Sequence, residues 1–343
     1  LKQGKFIISA DPLPIDAAAL DDAADAGPDV ELRPFVIQAL HHGDRLDRAL
    51  AALAPEFSRS YLQQLIEAGA ISLNGAPATR SSSKVKAGDA GTIELRPTPQ
   101  SQAFRPEAMA LDVLFEDAHL LVVNKPVGLV VHPAPGNWSG TLLNGLLARD
   151  AQASVLPRAG IVHRLDKDTS GLMVVARTRA VMDALVQLIA AREVSRQYVA
   201  LAHRSWGGAP ARHVDAPIGR DPRNRLRMAV VDTGKAASTT FELLQDAAQG
   251  CWVRATLQTG RTHQIRVHMA HIGHPLVGDE LYGGAPAAGL SRQALHAYRL
   301  AFAHPVTGQP LEFHAPLPAD LCQGLGLWGL RYNDSEWLTS HAP

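Results

Sequence analysis

Pro97-Thr98-Pro99-Gln100-Ser101-Gln102 breaks all hydrophobic periodicity in a chain of 343 residues, and the patterns on either side are self-contained. A Pro-flanked polar stretch of this kind reads as a semi-rigid linker rather than a loop inside one domain. The spacing predicts a small domain over residues 41–96, a linker over 97–110, a larger domain over 111–325 and a C-terminal tail over 326–343. Residues 1–40 carry seven acidic against three basic side chains, net −4, with no sustained period. An acidic, disordered tail is expected there. Lys plus Arg and Asp plus Glu both total 33, so the neutral chain hides a body of +4 that also holds all 15 histidines. Such a body suits an anionic partner.

Hydrophobic residues make up 46% and charged residues 19%, enough apolar material for a buried core. Nowhere do 18 uninterrupted apolar residues occur, which excludes an ordinary transmembrane helix. The opening Leu1–Ala10 segment has too short an apolar run for a secretory signal and lacks Met, as expected of a trimmed chain. Two cysteines, Cys251 and Cys322, exclude a disulfide scaffold or a Cys-rich zinc site. A reducing, cytoplasmic setting is expected.

In the smaller domain Leu46, Leu50 and Leu53 share one helical face behind Asp44 as a cap. A second helix follows Ser58, with Tyr61, Leu62, Leu65 and Ile66 at helical spacing and Gly69 as its stop. Ala70–Leu73 alternates into Asn74-Gly75, a hairpin signal, and Thr92–Leu95 alternates again. In the larger domain, strands are expected at Val113–Asp117, Leu120–Asn124, Gly160–Val162, Leu172–Ala176, Arg196–Ala202, Ser238–Leu244, Cys251–Thr259 and Leu311–Phe313. Helices are expected at Thr141–Leu147 and around Val181, Leu185, Leu188 and Ile189. Connections are too short for regular βαβ crossovers, so the fold class is α+β with a mainly antiparallel mixed sheet and flanking helices.

Two segments concentrate chemistry. His163-Arg164-Leu165-Asp166-Lys167-Asp168-Thr169-Ser170-Gly171 crowds charged and hydroxyl side chains into a loop between two apolar runs, where a rigid scaffold can aim them. Such side chains also serve simply to satisfy loop backbone. In Thr259–Gly273, Thr262 is the expected N-cap of a helix whose Ile265, Met269 and Ile272 form one face, ended by Gly273. Backbone N–H groups at that helix start, with Arg261 and Arg266 nearby, make an anion site. His263, His268, His271 and His274 raise the question of a metal, but no three share a helical face, so none is expected. Residues 203–228 hold six arginines against two aspartates. Arg223, Arg225 and Arg227 lie two apart and are expected to contact RNA phosphates from one face if the stretch is extended, with a solvated hairpin as the alternative.

The loop His163–Gly171, Asn124-Lys125-Pro126 with Val131-His132-Pro133, Arg196-Gln197-Tyr198-Val199-Ala200 and Gly260–His268 occur in an order that resembles the RluA-type pseudouridine synthases. Residues 43–96 resemble the S4 RNA-binding domain that often precedes them, and the likeness spans about residues 43–322. The resemblance implies the pseudouridine synthase fold and a uridine isomerase acting on a stem-loop of large-subunit (23S) ribosomal RNA, as a monomer with no membrane. It assigns Asp166 as the catalytic aspartate, Tyr198 as the active-site tyrosine and Arg266 as the cation that pairs with the aspartate. Arg164 then fills the gap left by an extruded uridine, and Arg45, Arg48 and Arg59 contact RNA from the S4-like unit. Uridine becomes pseudouridine by breaking C1′–N1, turning the base and joining C1′ to C5. The reaction needs no redox change and no external group, so no cofactor and no metal is expected. A carboxylate attacks either C1′ of the ribose or C6 of the uracil, and Tyr198 relays the C5 proton or stacks under the ring. The base must leave its stack, and phosphate contacts offset that cost.

Two other readings fit parts of the sequence. Asp166-Lys167-Asp168-Thr169 matches the Asp-x-Asp-x-Thr motif of haloacid-dehalogenase-like phosphotransferases, but His163-Arg164 separates it from the preceding apolar run and no later Asp-Asp pair follows a helix. A non-catalytic RNA-binding assembly factor would not need Asp166, Tyr198 and Arg266 together.

Overall fold

The computed structural model describes residues 31–95 and 103–332, and the chain divides between Ser101 and Gln102 into two compact units. In the first, strands β1 (Glu31–Val36), β2 (Ile71–Leu73), β3 (Ala76–Pro77) and β4 (Ala90–Leu95) form an antiparallel sheet in the order β1-β4-β2-β3. Helices α1 (Leu46–Leu53) and α2 (Arg59–Glu67) bury Leu46, Leu50, Leu62, Leu65 and Ile66 in a core shared with Ile71, Val85 and Ile93. Ser58 caps α2 by accepting the Tyr61 N–H. Asn74 and Gly75 both have positive φ, 51° and 82°, the backbone a two-residue hairpin of matching twist requires.

Two expectations fail here. β1 lies inside the stretch expected to be a disordered tail, with Phe35 and Ile37 buried. Pro34 is accommodated because β1 is an edge strand, where a missing ladder donor is tolerated. Residues 1–30 of that expected tail lie outside the described residues. Asp44 does not cap α1. Arg45 occupies the N-cap without a side-chain bond, and the Asp44 carboxylate turns to His41 and Arg48 instead.

The second unit is built on β5 (Asp112–Glu116), β6 (Leu120–Lys125), β7 (Ser170–Ala176), β8 (Ser195–His203), β9 (Ala211–Asp215), a short hairpin of β10 (Ile218–Arg220) and β11 (Met228–Val230), β12 (Ser238–Asp246), β13 (Gly250–Leu257), β14 (Leu295–Ala303) and β15 (Pro310–His314). Outside the hairpin they join one nine-stranded sheet in the order β5-β6-β7-β14-β8-β13-β12-β9, with β15 also on β14. Every pairing is antiparallel except β7 with β14, so the sheet is mixed and mainly antiparallel. Helices are α3 (Leu142–Arg149), α4 (Arg179–Ala190), α5 (Gln264–His271) and α6 (Ala319–Leu327). Alternate residues point to opposite faces of a strand. On β8, Tyr198, Ala200 and Ala202 enter a core with Ile265 and Met269 of α5, while Val199 and Leu201 face Leu321 and Leu325 of α6.

Gly160–Val162 is not a strand. Residues 157–160 form a 3-10 turn in which Arg158 and Ala159 are left-handed, and Ile161 makes one bridge to Val175. The unit also outgrows its expected limits. The Asn144 amide donates to the carbonyls of Ala103 and Arg105, so part of the expected linker is docked on α3. At the other end Leu330 is buried and Arg331 donates to Gln245, so 326–332 belong to the fold rather than a tail. Residues 96–102 and 333–343 lie outside the described residues.

Candidate active site

The loop between Ile161 and β7 is anchored by its backbone, which fixes the side chains it presents to solvent. Lys125, 1% exposed, donates to the carbonyls of Pro126, Leu129 and Lys167 at 2.8, 2.9 and 3.0 Å. Burial lowers its ammonium to about 8 against the opposing pull of Asp168 and Asp166. Arg292 holds the Asp168 carbonyl, and Ser170 bonds His296 across to β14. Gly171, the second residue of β7, has φ 113°, and a Cβ there would strike the Ala297 backbone, so β14 packs against the loop end only with glycine at this position.

Asp166 projects from this anchored loop with its side chain 17% exposed. Arg266 of α5 reaches Asp166 Oδ2 with Nη1 at 3.0 Å. Its Nε and Nη2 clamp both oxygens of Asp279 at 2.7 and 2.8 Å, and the guanidinium lies 4.9 Å from the Tyr282 ring centroid. Burial works against the Arg266 charge, but Asp279 and Asp166 together raise its pKa above the ordinary arginine value. The cation is thus fixed by a fully buried carboxylate and offers its remaining edge to Asp166. His263 Nε2 stands 3.8 Å from the other Asp166 oxygen, while its Nδ1 meets the Tyr282 hydroxyl at 2.8 Å. Tyr198, buried on β8, has its phenol pushed upward by burial and is neutral at ordinary pH.

These groups line one cleft of about 850 Å³, a volume that suits a nucleotide. Asp166 is the single carboxylate among its lining residues, against Arg158, Arg164, Arg192, Arg196, Arg261 and Arg266. The expected site residues Asp166, Tyr198, Arg266, Arg164 and Arg261 therefore come together. Arg261 donates from Nε to the Ala236 carbonyl and borders the cleft. Thr262 is not the cap of α5. His263 takes the N-cap position in a left-handed conformation with no side-chain cap.

Arg223, Arg225 and Arg227 are not in this cleft and do not form an extended face. Their segment turns between β10 and β11 around Asp221, which accepts the Arg223 N–H and pairs with Arg227 Nε at 2.6 Å. In the first unit Arg45 and Arg59 converge on buried Asp47, and Arg48 pairs with Asp44. Among the described residues no group of three His, Cys, Asp or Glu is placed to hold a metal. His268, for one, has both ring nitrogens engaged, by Thr239 and the Ala216 carbonyl. No helix among the described residues is long and apolar enough to cross a membrane.

Sequence reasoning gave no role to Asp279, Lys125, Arg158, Arg192 or Arg196. Asp279 acts through a tertiary contact with no local signature, and Lys125, although part of the Asn124-Lys125-Pro126 motif, gives no sequence sign of the distant Lys167 carbonyl it holds. Arg196 had one: it precedes Tyr198 by two residues on a strand, so it faces the same side.

The family model for RNA pseudouridylate synthase matches residues 119–271, and that for the S4 domain matches residues 44–90. A ribosomal large subunit pseudouridine synthase D of Neisseria meningitidis is 47% identical over 315 residues, covering 86% of this chain and 83% of that protein. Its namesake in Xylella fastidiosa is 48% identical over 82% of this chain and 88% of its own length. Among solved structures, human RNA pseudouridylate synthase domain containing 1 aligns with a TM-score of 0.52 at 25% identity, over 67% of this chain and 94% of its own. An aspartate–arginine pair in a basic, nucleotide-sized cleft, and relatives of such identity over most of both lengths, lead to one assignment: the chain belongs to the RNA pseudouridylate synthase family.

Proposed function

We propose that this pseudouridine synthase isomerises uridines in a stem-loop of large-subunit (23S) ribosomal RNA in the cytoplasm, acting as a monomer with Asp166 as nucleophile. The observation that carries the reading is the Asp166 carboxylate, directed by an arginine that Asp279 has already clamped, in a cleft where it is the single carboxylate among six lining arginines. The substrate class comes from the relatives' names, each a large-subunit pseudouridine synthase.

An Asp166 oxygen attacks C1′ or C6 of the extruded uridine, the C1′–N1 bond breaks, and the base turns to present C5. C1′ then bonds to C5, the bond from Asp166 to C1′ or C6 breaks to return the free carboxylate, the proton left on C5 departs and N1 gains one, so the product is an isomer. Tyr198 serves as a platform under the ring and as a hydroxyl relay. Its raised pKa makes a phenolate base unavailable at neutral pH. Arg164, exposed at the cleft rim, occupies the space the base vacates. Arg261 meets the RNA backbone there, and Arg45, Arg48 and Arg59 of the S4 unit add phosphate contacts. Extruding the base costs a few kcal/mol, least in a loop or bulge, which favours a stem-loop target.

The test is to incubate the protein with large-subunit RNA from cells lacking this enzyme and to map carbodiimide-dependent reverse-transcription stops. New stops confined to a few uridines are expected, and a stop pattern unchanged by the protein would overturn the proposal.

A further inference from the structure

Arg196 is the one cleft cation that the catalytic arrangement leaves unexplained despite its burial. It leaves β8 on the same face as Tyr198 and lines the same cleft. The residue is 6% exposed, yet its side chain has no ion pair or hydrogen bond to any described residue, and Nε is sealed from solvent without a partner. Other buried cations of this unit are satisfied: Arg266 by two carboxylates, Lys125 by three carbonyls. An unpaired buried guanidinium is costly, and that cost is relieved when an anion arrives.

The surroundings select the anion. Val174 N–H donates to His163 Nε2, so the neutral ring carries its proton on Nδ1, which is also buried without a partner. Burial, and then the Arg196 charge, push His163 down to about 3, so it offers a neutral N–H rather than a second cation. A Cβ at Gly260 would stand 2.9 Å from Arg196 Nη1, so the missing side chain gives the guanidinium its seat. A planar cation with an N–H donor nearby suits an anion bearing several acceptor oxygens.

We propose that Arg196 binds a backbone phosphate of the RNA next to the uridine held in the cleft. This rests on the reading of the cleft as the isomerisation site. The phosphate supplies the counter-charge that the protein withholds, so the reacting nucleotide is held by its backbone while its base turns.

The experiment measures binding of RNA containing the modified uridine across a range of salt concentrations, with pseudouridine formation followed in the same samples. Arg196→Gln is expected to weaken binding at least tenfold and to flatten the slope of log affinity against log salt by about 0.7–0.9, one phosphate contact. A single methylphosphonate beside that uridine should weaken wild-type binding equally and cost Arg196→Gln nothing more, and Arg196→Lys should recover part of the loss. Should Arg196→Gln not fold, the methylphosphonate scan on the wild type and on Arg196→Lys decides alone. A wild type that isomerises but loses nothing to any neutral linkage, or an Arg196→Gln protein with unchanged affinity and slope, overturns the phosphate site. A wild type that binds with the neutral-linkage effect yet never isomerises overturns the activity reading and leaves the phosphate site standing.

Discussion

Asp47 in the first unit and Asp166 in the second are both aspartates met by arginine, and the fold uses them in opposite ways. Asp47 is fully buried and saturated. Arg45 grips it through two bonds, Arg59 through two more, and Gln63 donates at 2.5 Å. Burial alone would raise its pKa, but those donors hold it well below the usual carboxylate range. Asp166 keeps partial exposure, takes one guanidinium bond, and leaves its other oxygen with a histidine at 3.8 Å. Saturation makes a carboxylate a structural hub that gathers arginines toward the surface. Partial satisfaction on an anchored loop leaves lone pairs free for a substrate. The distinction lies in the second carboxylate: Asp279 absorbs the bidentate edge of Arg266, so Asp166 is oriented without being consumed.

That contrast is broken most severely at Asp279. Asp279→Asn removes the counter-charge of a buried arginine, which costs about 3–5 kcal/mol of stability. It also frees Arg266 to collapse onto Asp166, and a misplacement near 1 Å lowers turnover on the order of 100-fold. Denaturant titration and single-turnover rates check the two effects together.

The anchoring of the loop is tested through pH. Lys125 titrates near 8 when folded and near its ordinary value of about 10.4 when unfolded. Between those values the unfolded chain binds the extra proton, so stability rises with pH and falls as pH drops through 8, by about 3 kcal/mol in all. Denaturant midpoints of the wild type and Lys125→Met from neutral to alkaline pH should show this rise in the wild type alone. Parallel curves would remove Lys125 from its role.

Much of this was legible from local chemistry. Ser58 caps α2, Asn74-Gly75 turns β2 into β3, and the alternation around Tyr198 marks β8, because each depends on residues a few positions apart. The pairing of Asp166 with Arg266 was implied only by resemblance, and the structure places them at 3.0 Å across a hundred residues of chain. What escaped was set by tertiary context. β14, the strand between β7 and β8, was not anticipated, and neither was the β1 edge strand carrying Pro34. The left-handed His263 at the start of α5 is held by Tyr282 from a later turn. Arg223, Arg225 and Arg227 had a regular spacing, but Asp221 drew the segment into a tight turn.

The smallest expected effect is at Asp47, where Asp47→Asn weakens charge-assisted bonds within the first unit and costs about 1–3 kcal/mol there. It also supplies the control for the most direct measurement: pseudouridine formed per enzyme in single turnover by matched Asp166→Asn and Asp47→Asn proteins, with RNA affinity recorded for both. Asp166→Asn is expected to bind RNA and form no pseudouridine, while Asp47→Asn isomerises bound RNA at the wild-type rate. Wild-type turnover by Asp166→Asn would show that the partly exposed carboxylate is not the reacting group.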